Sequence, residues 1–158
     1  MVSADYIVGL TDGEGCFYIN IRPKDKLKWG NSVVETHFYI KLREDHLSLL
    51  EEVKQRFGCG AIYFQKEKRV NHNSCYRFEI NSQKDIHETL IPFFNKYLLH
   101  GPKKTSFFFF KKIAMLVKSK KHLSEEGLNN IRFLKEKMNH RARPMREIRS
   151  SGGNGKLA

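Results

Sequence analysis

Read for the alternation of apolar and polar positions, the first hundred residues switch between two periods. Cys16–Arg22 alternates strictly, with Phe17, Ile19 and Ile21 on one side and Cys16, Tyr18, Asn20 and Arg22 on the other, which predicts a strand with one buried face. Pro23 ends it, and the basic stretch KDKLKWGN reads as a hairpin loop. Val33–Leu42 alternates again, with Val34, Phe38, Ile40 and Leu42 toward a core and Val33, Glu35, His37, Tyr39 and Lys41 away from it. The spacing of Leu47, Leu50, Val53 and Phe57 is helical and stops at Gly58. Two further strands follow, at about Ala61–Lys66 and Cys75–Asn81. A helix then begins at Ser82 and carries Ile86, Leu90, Phe94 and Tyr97.

Ahead of all this, Tyr6 to Gly13 predicts a short helix with Gly9 and Gly13 on one face. The order is therefore αββαββα, an α+β fold with a four-stranded antiparallel sheet whose helices cover one side. After residue 100 the pattern is helical. Gly101-Pro102 is expected to break the chain before a helix KKTSFFFFKKIAMLVK. Its four consecutive Phe residues predict burial around most of its circumference. A last helix is expected behind Ser124 as N-cap, with Leu128, Ile131 and Leu134 as its stripe. Residues 1–140 thus read as one domain, and 141–158 as a basic, flexible tail.

Charge narrows the choice of partner. The formal net charge is +12. Residues 1–100 carry 14 basic and 13 acidic side chains, whereas 101–149 carry 14 and 4. An excess concentrated in one segment, beside aromatic-rich strands, points to a polyanion, most often nucleic acid. No apolar run approaches the roughly 20 residues that span a bilayer, so no membrane partner is expected. Three cysteines, Cys16, Cys59 and Cys75, suit a reduced intracellular protein, and His72-x-x-Cys75 lacks the second half of a zinc site.

The face of the sheet turned away from the core would present Tyr18, Asn20, Arg22, Glu35, His37, Tyr39, Lys41, Tyr63, Gln65, Arg77 and Glu79. An ordinary solvated surface is one reading. The other is direct readout of base edges, which uses Arg for guanine, Asn or Gln for adenine and Glu for cytosine. The stretch TDGEG puts Asp12 and Glu14 at the negative end of the first helix, where two carboxylates cost stability unless a cation neutralises them. Glycines at i, i+4 let a second helix approach closely, and a two-fold partner would bring both copies of the acids together. A solvated turn pair is the competing reading.

IVGLTDGEG closely resembles the signature of the LAGLIDADG homing endonucleases. The stretches FYIKLREDHLSLLEEVKQRFGCGAIY, KYLLHGPKKTSFFFFKKIAML and HLSEEGLNNIRFLKEKMN resemble further segments of that family, in order, over about residues 5–140. The resemblance implies a site-specific DNA endonuclease whose glycine-rich helices form the subunit interface and whose sheets form a saddle in the major groove. One signature helix implies a homodimer on a long, near-palindromic site.

Position by position, the resemblance assigns metal binding to Glu14 with the Gly13 carbonyl, a supporting role to Asp12, and the active-site lysine to Lys103 or Lys104. Gly9 and Gly13 become the dimer contact. Mg²⁺ is the implied cofactor, with Mn²⁺ or Ca²⁺ able to occupy the site. Some members have a glutamine where this chain has Leu42, so that polar role is absent or moved to Lys41 or Arg43. Specificity is expected from Asn20, Arg22, Lys24, Glu35, His37, Tyr39, Lys41, Tyr63, Gln65, Arg77 and Glu79. Phosphate contacts are expected from Lys26, Lys28, Arg141, Arg143, Arg146 and Arg149. The same resemblance leaves open an RNA-binding maturase that acts on its own intron RNA, or a non-catalytic DNA-binding regulator, and implies an organelle, mitochondrion or chloroplast.

Overall fold

The structure is a computed structural model, and it describes residues 1–22 and 31–139. The sequence places three expected DNA contacts (Lys24, Lys26 and Lys28) and the arginine-rich tail outside these residues. The first helix, α1 (Ala4–Glu14), is capped by the Ser3 side chain, which accepts from the Tyr6 amide. It passes directly into β1 (Gly15–Arg22), which pairs antiparallel with β2 (Val33–Arg43). A 3₁₀ turn (Glu44–His46) leads into α2 (Leu47–Phe57), followed by β3 (Ala61–Gln65) and β4 (Cys75–Ile80). The strand order is β1-β2-β4-β3, so the long β2 and β4 sit centrally. The expected αββαββα core and four-stranded antiparallel sheet are present.

The register puts Phe17 opposite Phe38, Ile40 opposite Phe78, and Ile62 opposite Phe78 on β4's other side. Every second residue of each strand therefore lands on one face, where α1, α2 and α5 pack. Phe38 and Phe78 are fully buried there, as are Ile19, Ile40 and Ile80. Burying side chains of this size contributes about 1.5–3 kcal/mol each. Thr36 occupies the same face at zero exposure, and its hydroxyl accepts from the Gln83 amide nitrogen at 2.8 Å. A buried hydroxyl in a phenylalanine-rich core is tolerated because it has that partner.

Between α2 and β3 the chain turns through Gly58 and Gly60. At Gly60, φ is +85°, and a Cβ would lie 2.7 Å from the Glu79 carbonyl oxygen and 2.7 Å from the Phe78 ring. Only glycine fits that crossing.

The helix expected from Ser82 is assembled from three pieces. Ser82 caps α3 (Gln83–Asp85), a π turn follows (Ile86–Leu90), and α4 (Ile91–Lys96) completes it. Pro92 accounts for the wide turn: it has no N–H to donate, and its ring would clash with the carbonyl four residues earlier in a regular helix.

The structure corrects two expectations about the next helix, α5 (Gly101–Lys118). Gly101 and Pro102 form its first turn, and the break lies earlier, after Tyr97. Proline at a helix start gives up an N–H that has no intrahelical acceptor anyway. The four phenylalanines also divide by face. Phe107 and Phe110 are buried against Phe17, with ring centroids at 5.4 and 5.1 Å, while Phe108 is 47% exposed and lies beneath the Lys112 ammonium. A 3₁₀ turn (Lys121–Leu123) leads to α6 (Glu125–Asn139). Its N-cap is Ser124, which accepts from the Gly127 amide, and it packs on α5 through Leu128, Ile131 and Met138. No helix among the described residues is long and apolar enough to cross a membrane.

Candidate active site and nucleic-acid interface

The junction of α1 and β1 is a corner without a linker, since Glu14 ends the helix and Gly15 begins the strand. The Gly15 amide closes the helix on the Thr11 carbonyl. A Cβ on Gly15 would come within 2.6 Å of the Thr11 side chain and 2.8 Å of its carbonyl oxygen. The tight corner therefore requires glycine there. The periodicity pointed to Gly9 and Gly13 and passed over Gly15, whose only sequence signal is its position one residue after the second acid.

The two acids occupy different environments. Both Asp12 carboxylate oxygens are engaged by His100: the backbone N–H of His100 donates to one at 3.0 Å, and its Nδ1 lies 3.0 Å from the other. These contacts satisfy a carboxylate that the negative end of α1 would otherwise disfavour. They also clamp the segment leading into α5 against the end of α1. His100 carries no motif in the sequence and is the neighbour of Asp12 that pattern reading missed. Glu14, by contrast, stays exposed at the corner.

Lys103, in the first turn of α5, is half-buried and donates from Nζ to the Gly15 carbonyl. Lys104 points to solvent. Glu14 thus directly precedes the residue whose carbonyl holds the Lys103 ammonium. A cleft of about 240 Å³ adjoins Lys103, and its other lining residues are Cys16, Phe17, Ser106, Met138 and Asn139. Leu42 is half-buried and packs against the core, as its side of the alternation implies, so no polar group replaces it there.

Gly9 and Gly13 are exposed, and a Cβ on either would meet nothing within 4 Å. Neither glycine is needed for packing among the described residues.

The open sheet face holds an ordered polar network. Asn20 donates to one Glu35 oxygen at 2.8 Å and Arg22 to the other at 2.7 Å. His37 Nδ1 lies 2.5 Å from Glu79, whose second oxygen lies 3.0 Å from Arg77 Nε. The Arg77 guanidinium stands 3.8 Å over the centre of the Tyr39 ring. A hydrogen bond with Cys16, its partner across the β1–β2 ladder, together with partial burial pushes the Tyr39 phenol up to about 12. Tyr39 therefore stays a neutral platform at physiological pH. Tyr18, Lys41 and Tyr63 are exposed on this face, and Gln65 is half-buried near its edge.

The sequence profile described as LAGLIDADG endonuclease matches residues 7–114, and the chain belongs to that family. Among solved structures, the homing endonuclease I-TnaI is 30% identical, with a TM-score of 0.75 and coverage of 87% of this chain and 88% of that one. I-LtrWI, solved bound to target DNA, is 34% identical with a TM-score of 0.77, and the match covers 88% of this chain but 45% of that one. Among curated proteins, "Probable intron-encoded endonuclease 2" of Neurospora crassa is 31% identical over 134 residues, which is 85% of this chain. "Probable intron-encoded endonuclease 3" of the same organism is 35% identical over 134 residues. The chain spans about a quarter of the length of these two relatives, 27% and 24%.

Proposed function

We propose that this chain is a site-specific DNA endonuclease that acts as a homodimer and makes a metal-dependent double-strand break in a long, near-palindromic site. The observation that carries this reading is that the Lys103 ammonium is held on the carbonyl of Gly15, the residue directly after Glu14, where α1 turns into the open-faced sheet. An RNA-binding surface has no need of a carboxylate and an ammonium set together at such a corner.

Among the described residues, no three His, Cys, Asp or Glu side chains are placed to hold a metal ion together. One chain therefore offers Glu14 together with helix-end carbonyls such as that of Gly13, which lack intrahelical partners. That donor set fits a hard divalent cation, Mg²⁺ above all, because such ions keep several waters and take phosphate oxygens beside one or two carboxylates. When bound, the ion supplies charge neutralisation and a water of lowered pKa. Lys103, fixed on the strand's first carbonyl, places a positive charge to offset the charge that builds on the scissile phosphate. Asp12 holds the His100 segment and so sets the position of Lys103.

The second Glu14 comes from a second copy docked on the α1 face that bears Gly9 and Gly13. Its coverage fits this arrangement: one unit accounts for nearly all of I-TnaI but under half of I-LtrWI. Base recognition falls to the open sheet face and phosphate contact to the basic segments, with residues 1–140 as the domain and 141–158 as a basic arm. The intron-encoded relatives support an organellar setting.

The test incubates the protein with supercoiled DNA carrying candidate sites, with Mg²⁺ or with EDTA. Linear product with Mg²⁺ only, lost in Glu14→Gln while DNA binding persists, is the expected result. A monomeric mass on DNA, or cleavage by Glu14→Gln, overturns the shared two-fold site.

A further inference from the structure

The sheet face carries two carboxylates among its cations, and Glu79 is the more enclosed of them. Its side chain is only 10% exposed, its oxygens face His37 at 2.5 Å and Arg77 at 3.0 Å, and Tyr39 lies opposite it on β2. A carboxylate that reads cytosine must extend a free oxygen to a base edge. Glu79 has both oxygens occupied and little reach. Turning it outward would leave a half-buried cation without its partner.

Arg77 has the opposite character. Its Nε–H is not aimed at the Glu79 oxygen, so the contact is an ion pair and not a directed hydrogen bond. The flat guanidinium lies on the Tyr39 ring, and that ring stays neutral. Stacking and the ion pair fix the plane of the fork, while its terminal nitrogens make no hydrogen bond among the described residues. A fork held in one plane loses little freedom when it meets the paired acceptors of guanine.

We propose that Glu79 is a positioning residue that, with Tyr39 as platform, presents Arg77 to read one guanine in each half-site. This deepens the DNA-recognition reading above and rests on it. Arg77 supplies the base contact, and Glu79 acts through it. Glu79 thereby leaves the set of expected base readers, and Arg77 takes a defined base.

The test selects binding sites from a randomised duplex library without cleavage, in EDTA or Ca²⁺, for wild type, Glu79→Gln and Arg77→Lys. Both variants are expected to lose preference for guanine at the same base pair of each half-site, by roughly tenfold or more, with the other positions keeping theirs. Glu79→Gln should also bind non-specific DNA more tightly, since a negative charge has left a surface that meets phosphates. A loss of stability alone does not erase one base pair's preference and spare the rest.

Arg77→Lys keeps the charge, so it tests the base contact even where Glu79→Gln folds poorly. Glu79→Asp, which keeps the carboxylate but shortens its reach, then tests the positioning and is expected to weaken the same guanine preference. The proposal is overturned if Arg77→Lys leaves every preference intact, or if Glu79→Gln changes a base pair that Arg77→Lys does not. A wild-type protein that enriches no sequence overturns the DNA-recognition reading itself, an outcome separate from the other two.

Discussion

Asp12 and His100 stand 88 residues apart in the chain, yet both oxygens of the Asp12 carboxylate contact His100, one through the backbone and one through the ring. This clamp ties the end of α1 to the start of α5 and so relates Glu14 to Lys103 in space. Asp12→Ala is expected to slow single-turnover cleavage on the order of 100-fold, the scale of loss when a catalytic group is misplaced by about 1 Å. DNA binding in Ca²⁺ should change far less. His100→Ala keeps the backbone contact and should fall between Asp12→Ala and wild type. Equal losses in binding and cleavage would contradict a positioning role.

Gly15→Ala places a methyl group 2.6 Å from the Thr11 side chain. Overpacking at a rigid corner costs about 1–3 kcal/mol, and denaturant melts of the purified variant measure it. Unchanged stability would mean that the corner can relax.

Gly9→Leu should have the reverse profile. The position is open among the described residues, and replacing a mid-helix glycine favours the helix by about 0.5–1 kcal/mol. The folded monomer is expected to be as stable or more so, while sedimentation shifts from dimer to monomer and double-strand cleavage disappears. A stable dimer of Gly9→Leu would place the subunit contact elsewhere.

Two phenylalanines of α5 test the packing. Phe110→Ala removes a fully buried ring and should cost about 3–5 kcal/mol. Phe108→Ala, at a position 47% exposed, should cost less than about 1 kcal/mol. Calorimetric melting of both variants tells them apart.

Acid should weaken the fold through two histidines. Burial lowers the pKa of His87, with a smaller contribution from nearby Lys118, and burial alone lowers that of His122. As pH falls below about 6.5, the unfolded chain takes up these protons before the folded one does. Stability should therefore hold above that value and decline below it, down to the depressed folded-state values. Thermal melts between pH 8 and 5 follow the decline, and His87→Gln should make it shallower.

What the sequence could convey depended on distance along the chain. The face assignments of Phe17, Ile19, Phe38 and Ile40 were legible because a strand's period of two is a local property. Gly58 and Ser82 were legible as helix boundaries for the same reason. Phe108 shows where local pattern ends: four identical residues give no face preference, and only the packing of α5 on β1 decides which pair is covered. The Asp12–His100 clamp could not be read at all, because neither residue's neighbours signal a partner 88 positions away. The open-face residues were identified one by one, but their pairing into Glu35 with Asn20 and Arg22, and Glu79 with His37 and Arg77, depends on inter-strand register.

The linkerless corner at Gly15 has a geometric consequence. In a dimer built on α1, the distance between the two copies of Glu14 is set by how the two helices cross, and that distance fixes the stagger between the cuts on opposite strands. On the proposed function, overhang length is then a property of helix packing, while target choice is carried by a sheet whose first strand begins one residue later. Retargeting the sheet should leave the stagger of the break as it is, and repacking α1 should alter the stagger without changing which bases are read.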